Sequence, residues 1–202
     1  MNDYEQIKVC SGDDGKLHIV DNYGFYMIGK GGHGAVFRID EHRCIKVYAN
    51  EEHAEIEKKA YLKAVGSPIM PALYETGPGY LVIEYINGPN LKDHLLDKAS
   101  MPPAIAHELV NMLLEMDRLC FLRKDESLRH ILLNNACKVK IVDHFYAYTQ
   151  NDPFPLKMFR QLDEIGMLES FIIEGSIISP QLFNDYRRNM PWFFKNNLIQ
   201  RG

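Results

Sequence analysis

Long apolar runs are missing from these 202 residues. The longest candidates, such as residues 80–85, are strand-sized, whereas a membrane-spanning helix needs roughly 18 residues. The opening residues Met1, Asn2, Asp3, Tyr4 and Glu5 are acidic with no apolar stretch behind them, which is not a secretory-signal pattern. Cysteine is sparse as well: Cys10, Cys44, Cys120 and Cys137 are scattered, with no C-x-x-C pair and no histidine at finger spacing. That argues against a zinc site and for reduced thiols, so a soluble, cytoplasmic protein is expected. An excess of either charge is also lacking. With 23 basic and 27 acidic residues the net charge is −4, which gives no electrostatic case for a nucleic acid or an anionic membrane as partner. Repeats and low-complexity stretches are absent. What remains, 46% apolar and 25% charged residues with 14 Gly and 10 Pro, is ordinary globular composition, enough for one large core or two small lobes.

The first third reads as strands. Residues 7–10 and 16–20 flank Ser11-Gly12-Asp13-Asp14-Gly15, a hairpin signal. Residues 24–28 and 35–39 lie on either side of a glycine cluster, and Arg43–Tyr48 follows a polar turn. From Glu51 to Val65 the apolar spacing turns helical, until Gly66-Ser67-Pro68 stops it. Strands near residues 72–75 and 80–85 surround Gly77-Pro78-Gly79. Beyond Asn87-Gly88-Pro89 helices dominate: one capped by Asn90, one from Pro102-Pro103 to near Leu122, and two closing helices over residues 156–173 and 180–188. Residues 131–133 and 139–142 form a second hairpin. Trp192-Phe193-Phe194 is expected to fold back as an anchor on the second lobe. His33, His42, His53, His94 and His107 show no metal spacing and are expected to be surface or packed side chains.

The chemistry-bearing features begin with Ile28-Gly29-Lys30-Gly31-Gly32-His33-Gly34-Ala35-Val36, which reads G-x-G-x-x-G-x-V between two strands. A dinucleotide fingerprint would lead into a helix, but here a strand continues. A strand–turn–strand of this kind can lie over a triphosphate, its N–H groups unobstructed by Cβ atoms. Twelve residues after Gly34, Lys46 stands inside an apolar strand, costly unless its ammonium meets a counter-charge. The next helix offers Glu55 and Glu57. Glu57 is preferred, because the segment from it to Gly66 best matches the expected helix end.

At this point the sequence resembles the protein kinase superfamily. Leu81-Val82-Ile83-Glu84-Tyr85-Ile86-Asn87-Gly88, followed by Leu91, is similar to the kinase hinge. Arg123-Lys124-Asp125 through His130, a short hairpin, and Asp143-His144-Phe145 then stand in the order of the catalytic loop and the metal-binding aspartate. The resemblance covers roughly residues 24–146 and is nearest to small, truncated kinase-like proteins of Bacillus-type bacteria. It implies an α+β, bilobal protein-kinase-like fold: an antiparallel-sheet N-lobe with one helix (1–86) and a reduced, mainly helical C-lobe (87–202). It implies ATP-dependent transfer to a protein hydroxyl, as in Ser/Thr protein kinases. ATP would be held by residues 28–34, Val36 and Lys46, and its adenine by the Glu84 carbonyl and the Ile86 backbone. Lys46, Glu57 and Asp125 would be catalytic, and Asp143 and His130 would hold Mg²⁺ or Mn²⁺. The departures are equally specific. His130 replaces the family's asparagine, Arg123-Lys124 replaces His-Arg, Ser127 replaces a lysine, the glycine of D-F-G is missing, and no A-P-E follows. They leave open a pseudokinase, serving as an ATP-binding or protein-interaction module, and a small-molecule kinase.

Overall fold

The computed structural model describes residues 3–12 and 16–198. The protein is α+β. A 3-10 turn (Asp3–Gln6) leads into β1 (Lys8–Ser11), β2 (Leu17–Val20), β3 (Tyr26–Lys30), β4 (Gly34–Arg38), β5 (Arg43–Tyr48) and α1 (Glu51–Lys63). Then come β6 (Leu73–Gly77), β7 (Tyr80–Glu84), α2 (Leu91–Lys98), α3 (Pro103–Arg118), β8 (Ile131–Leu133) and β9 (Val139–Ile141). Four helices close the chain: α4 (Leu156–Glu164), α5 (Leu168–Ile178), α6 (Pro180–Asn189) and α7 (Pro191–Leu198). Among the described residues no helix is long and apolar enough to cross a membrane. Two compact units emerge. One is the chain up to Gly88 together with Lys140–Tyr146; the other is Pro89–Val139 with the chain from Ala147 onward.

The first unit is organised by a five-stranded antiparallel sheet in the order β3-β4-β5-β7-β6. Side chains alternate across a strand, so β5 sorts its residues onto two faces. Ile45 and Val47 join Ala35, Phe37 and Val82 in a core that Tyr4, Ile7 and Val9 complete. Burying each of the larger apolar side chains there contributes about 1.5–3 kcal/mol. Cys44, Lys46 and Tyr48 take the opposite face, where Lys46 is in register with Val36 on one side and Leu81 on the other. Helix α1, capped by Asn50 on the Glu52 N–H, buries Ala54, Glu57, Ala60 and Tyr61, one stripe at helical spacing. Glu57 lies on that stripe. Glu55 lies off it, paired with Lys58. The β1–β2 hairpin forms as its turn residues predict, although the turn tip, residues 13–15, lies outside the described residues.

In the second unit α3 buries Ile105, Leu109, Met112, Leu113 and Met116. The C-terminal helices share an aromatic core in which Phe159 lies 6.0 Å from Phe171 and 5.7 Å from Phe193. Phe193 and Phe194 are buried while Trp192 is half-exposed, so the expected anchor consists of the two phenylalanines. One expectation is corrected: residues 156–173 are two helices, not one. Gly166 adopts a left-handed φ of 72°, its N–H donates to Asp163 O, and the Met167 N–H donates to Leu162 O. These two bonds are the Schellman termination, which glycine permits at no steric cost.

Candidate functional site

The glycine turn is tight, with Gly31 N–H donating to Gly34 O at 2.9 Å. Its glycines serve different ends. A Cβ on Gly34 would lie 2.2 Å from Val47 O, so strand packing requires glycine there, whereas Gly31 and Gly32 have open space where a Cβ would stand. Ile28 sits at a β-bulge, partly exposed, and Val36 pairs with Gly29. The Lys30 ammonium donates to Leu17 O.

Lys46 is the centre of the first unit's polar network. Its Nζ lies 2.6 Å from Glu57 Oε2 and 3.0 Å from Asp143 Oδ1. Burial alone would push the ammonium's pKa down, but the two carboxylates outweigh it and the net shift is upward. The Glu57 side chain is 1% exposed and Lys46 12%, while Asp143 is 40% exposed. Lys46 and Glu57 are therefore a desolvated pair, and Asp143 still offers carboxylate surface to solvent. The second oxygen of Glu57 accepts the His144 N–H at 3.1 Å. His144 is buried, and because Ile141 O can only accept, its Nε2, 2.8 Å away, carries a proton. Asp143 holds a left-handed φ of 71°, unusual for a residue other than glycine, which turns the chain between these contacts.

The tip of the glycine turn is fastened by His33. Its ring stacks on Phe145 at a centroid distance of 4.0 Å, its Nδ1 meets His53 Nδ1 at 3.2 Å, and its Nε2 meets the Tyr146 hydroxyl at 3.2 Å. Two facing Nδ1 atoms bond only if one donates and the other accepts, so one of them must lack a proton. Burial, reinforced by the His53 charge, pushes the His33 pKa down; Asp143 and Glu57 oppose this and Lys46 adds to it. A histidine that binds protons less well folded than unfolded makes stability fall as pH drops through the window below about 6.5. Thermal unfolding between pH 7 and 5 is therefore expected to show a steeper loss of melting temperature in the wild type than in His33→Phe, which keeps the stack and removes the titration. Equal slopes would contradict this.

At the hinge-like segment Ile83 and Ile86 are buried, Glu84 O accepts a weak bond from Cys44 Sγ, and Ile86 O accepts the Gly88 N–H. Burial pushes the Cys44 thiol up to about 12, so it is unreactive.

In the second unit Asp125 accepts a hydrogen bond from the Lys157 N–H at the start of α4. Burial raises its pKa, the Lys157 N–H pulls the other way, and the net shift is upward. Its loop is held by Gln161, whose Oε1 accepts from the Leu128 N–H at 2.8 Å and from the Ser127 hydroxyl at 3.2 Å. His130 Nδ1 lies 3.6 Å from Oε2 of the buried Glu126, an ion-pair distance too long for a hydrogen bond. Lys46, Glu57 and Asp143 are thus brought together in the first unit, whereas Asp125 and His130 belong to the second. Gln161, Glu126 and Tyr146 carry no recognisable motif; only the spatial contacts single them out.

No family model matches the chain. It is 28% identical over 122 residues to a Bacillus subtilis (strain 168) protein named "Putative serine/threonine-protein kinase YrzF". That match takes in 58% of this chain and 57% of the relative, so it spans little more than half of either protein. The likeness supports a kinase-like relationship. The α+β architecture, with its mainly antiparallel strands and several helices, is compatible with a kinase-like fold. Among the described residues no cluster of three or more His, Cys, Asp or Glu is gathered that would hold a metal by itself. A hard cation would therefore need phosphate and water oxygens besides the Asp143 carboxylate, which is the usual way Mg²⁺ is held. The nitrogen donor of His130 suits Mn²⁺ better than Mg²⁺.

Proposed function

We propose that this protein is an ATP-dependent phosphotransferase of the Ser/Thr protein-kinase-like type, acting on a protein hydroxyl. The observation that carries the reading is Lys46, a strand lysine beyond a glycine turn, ion-paired with both a buried helix glutamate and a partly exposed aspartate. In this reading residues 1–86 are a small lobe and residues 87–202 a reduced, mainly helical large lobe in a bilobal fold. The cytoplasm, where thiols stay reduced, suits four free cysteines.

The glycine turn of residues 29–34 would lie over the phosphates, with Ile28 and Val36 beside them, and the Glu84 carbonyl and Ile86 backbone would meet the adenine. Lys46 neutralises phosphate charge, and Glu57 holds Lys46 in place. Asp143 would hold Mg²⁺ or Mn²⁺ and His130 would offer a donor to a second ion; a bound divalent cation would offset negative charge that develops on the transferred phosphoryl group. Asp125 accepts the hydroxyl proton as the acceptor oxygen attacks the γ-phosphorus, the bond from that phosphorus to the β,γ-bridging oxygen breaks, and ADP leaves.

Two measurements test this. A nucleotide that binds only the folded state adds about 2.7 kcal/mol at one hundred times its dissociation constant, so magnesium-ATP is expected to raise the melting temperature. Labelled ATP should transfer its γ-phosphoryl group to a protein acceptor. No shift at millimolar nucleotide, with calorimetry equally silent, would overturn the reading. Binding without transfer would leave the ATP-binding module.

A further inference from the structure

Helix α4 lies in a part of the chain to which the kinase-like pattern assigns nothing. Its start is unusual, because the residue before it is Pro155, which has no side-chain capping group. Four N–H groups at a helix start need acceptors, and Asp, Asn, Ser or Thr normally supplies one locally. Here the acceptor comes from 32 residues earlier in the chain: Asp125 Oδ1 takes the Lys157 N–H. One turn further along the same helix, Gln161 Oε1 takes both the Leu128 N–H and the Ser127 hydroxyl. The Ser127 oxygen in turn accepts the Arg129 N–H at 3.4 Å. Residues leading into α4 hold the other end of the loop, since the Lys124 N–H donates to Asp152 O and the Asp152 N–H to Leu122 O. Between these clamps the loop is a series of tight turns, Glu126 N–H to Lys124 O and His130 N–H to Ser127 O, with Leu128 fully buried as its peg.

We infer that α4 is the positioning device for Asp125, with Gln161 the positioning residue. This rests on the reading of Asp125 as the base for the acceptor hydroxyl. The Lys157 N–H engages Oδ1 and restrains rotation of the carboxylate, which leaves Oδ2 as the oxygen to take the hydroxyl proton. Gln161 keeps the loop from drifting away from the helix start. Displacing a reacting group by about 1 Å typically costs on the order of a hundredfold in rate, so the clamp is expected to act on turnover, not on nucleotide affinity.

The test uses the full chain with Gln161→Leu, which removes the acceptor, and Gln161→Glu, which restores an acceptor oxygen. Amide hydrogen exchange at Leu128, whose N–H is the backbone donor to Gln161, reads the clamp itself, and steady-state transfer reads its use. In Gln161→Leu the Leu128 amide is expected to exchange faster and kcat to fall about ten- to a hundredfold, with KM for ATP unchanged. The acid limb of the kcat/KM profile is expected to move to higher pH, as Asp125 loses the N–H that favours its charged form. Gln161→Glu is expected to recover most of the exchange protection and of kcat, but not the acid limb, because its added carboxylate favours the protonated form of Asp125. Unchanged exchange in Gln161→Leu would overturn the clamp. Faster exchange with unchanged kcat and pH profile would overturn its positioning role, as would equal losses in both variants. A wild type that protects Leu128 but transfers no phosphate would instead overturn the reading of Asp125 as a base, and the positioning role with it.

Discussion

Lys46→Met is expected to lower stability by about 3–5 kcal/mol and to remove nucleotide-dependent stabilisation. The first effect follows from burial. Glu57 is 1% exposed, and deleting the cation 2.6 Å away strands its charge in a desolvated position. The intact pair is worth far less than that loss suggests, because desolvating both ions offsets most of their attraction. A double-mutant cycle separates the two quantities. Glu57→Gln keeps an oxygen for the His144 N–H, so the double variant Lys46→Met/Glu57→Gln is expected to be more stable than Lys46→Met alone. Chemical denaturation measures this. Additive losses would mean that Glu57 is not the group left uncompensated. The second effect is read by thermal shift with magnesium-ATP in Glu57→Gln, where Lys46 is present but held only by Asp143. Stabilisation by nucleotide should be reduced there and absent in both Lys46→Met variants.

For Asp125, asparagine and alanine are expected to give different answers. Asparagine caps a helix as well as aspartate does, so Asp125→Asn preserves the start of α4 while removing the basic oxygen pair. Asp125→Ala removes both and should cost about 1 kcal/mol of stability. The sign of the pKa shift sharpens the contrast. The folded protein binds the Asp125 proton more tightly than the unfolded chain does, so this group contributes less stability as pH rises past the ordinary carboxylate range. Asp125→Asn should therefore be no less stable than the wild type at pH 7. Phosphoryl transfer should nonetheless fall by about 10²–10⁴ in both variants, the usual worth of a general base. Should Asp125→Asn transfer phosphate at the wild-type rate, Asp125 is a capping residue and nothing more.

These residues differ in how far the sequence reveals them. The glycine turn, the strand lysine and the helix glutamate are legible because each obeys a local rule: strands on both sides of the turn, an apolar strand around Lys46, a helical stripe through Glu57. Helix endings divide on residue type. Gly166 interrupts a helical pattern and marks the break between α4 and α5, although apolar periodicity alone runs straight across it. The end of α3 has no such mark. The same Schellman pair of bonds closes it, Cys120 N–H to Asp117 O and Phe121 N–H to Met116 O, but the left-handed residue is Cys120 with a φ of 56°, which no propensity rule selects. The helix therefore stops at Arg118, short of Leu122, where periodicity carries it. Least legible are the contacts joining distant positions. His33 and Tyr146 are 113 residues apart, and the cap of α4 lies on a loop preceding two strands. Nothing in the local pattern around either partner records the other.

The core beneath the glycine turn also bears on where a minimal version of this protein can start. The kinase-like pattern begins near residue 24, yet Tyr4, Ile7 and Val9 pack on Phe37, Ile45 and Val47, and the Tyr4 hydroxyl donates to Glu75 while Tyr80 donates to the other oxygen of the same carboxylate. Cutting the chain at the edge of recognisable similarity would uncover an apolar sheet face and strand half of a two-tyrosine bracket. The kinase-like pattern marks only part of what folds together; the hydrophobic core of the sheet reaches back to Tyr4.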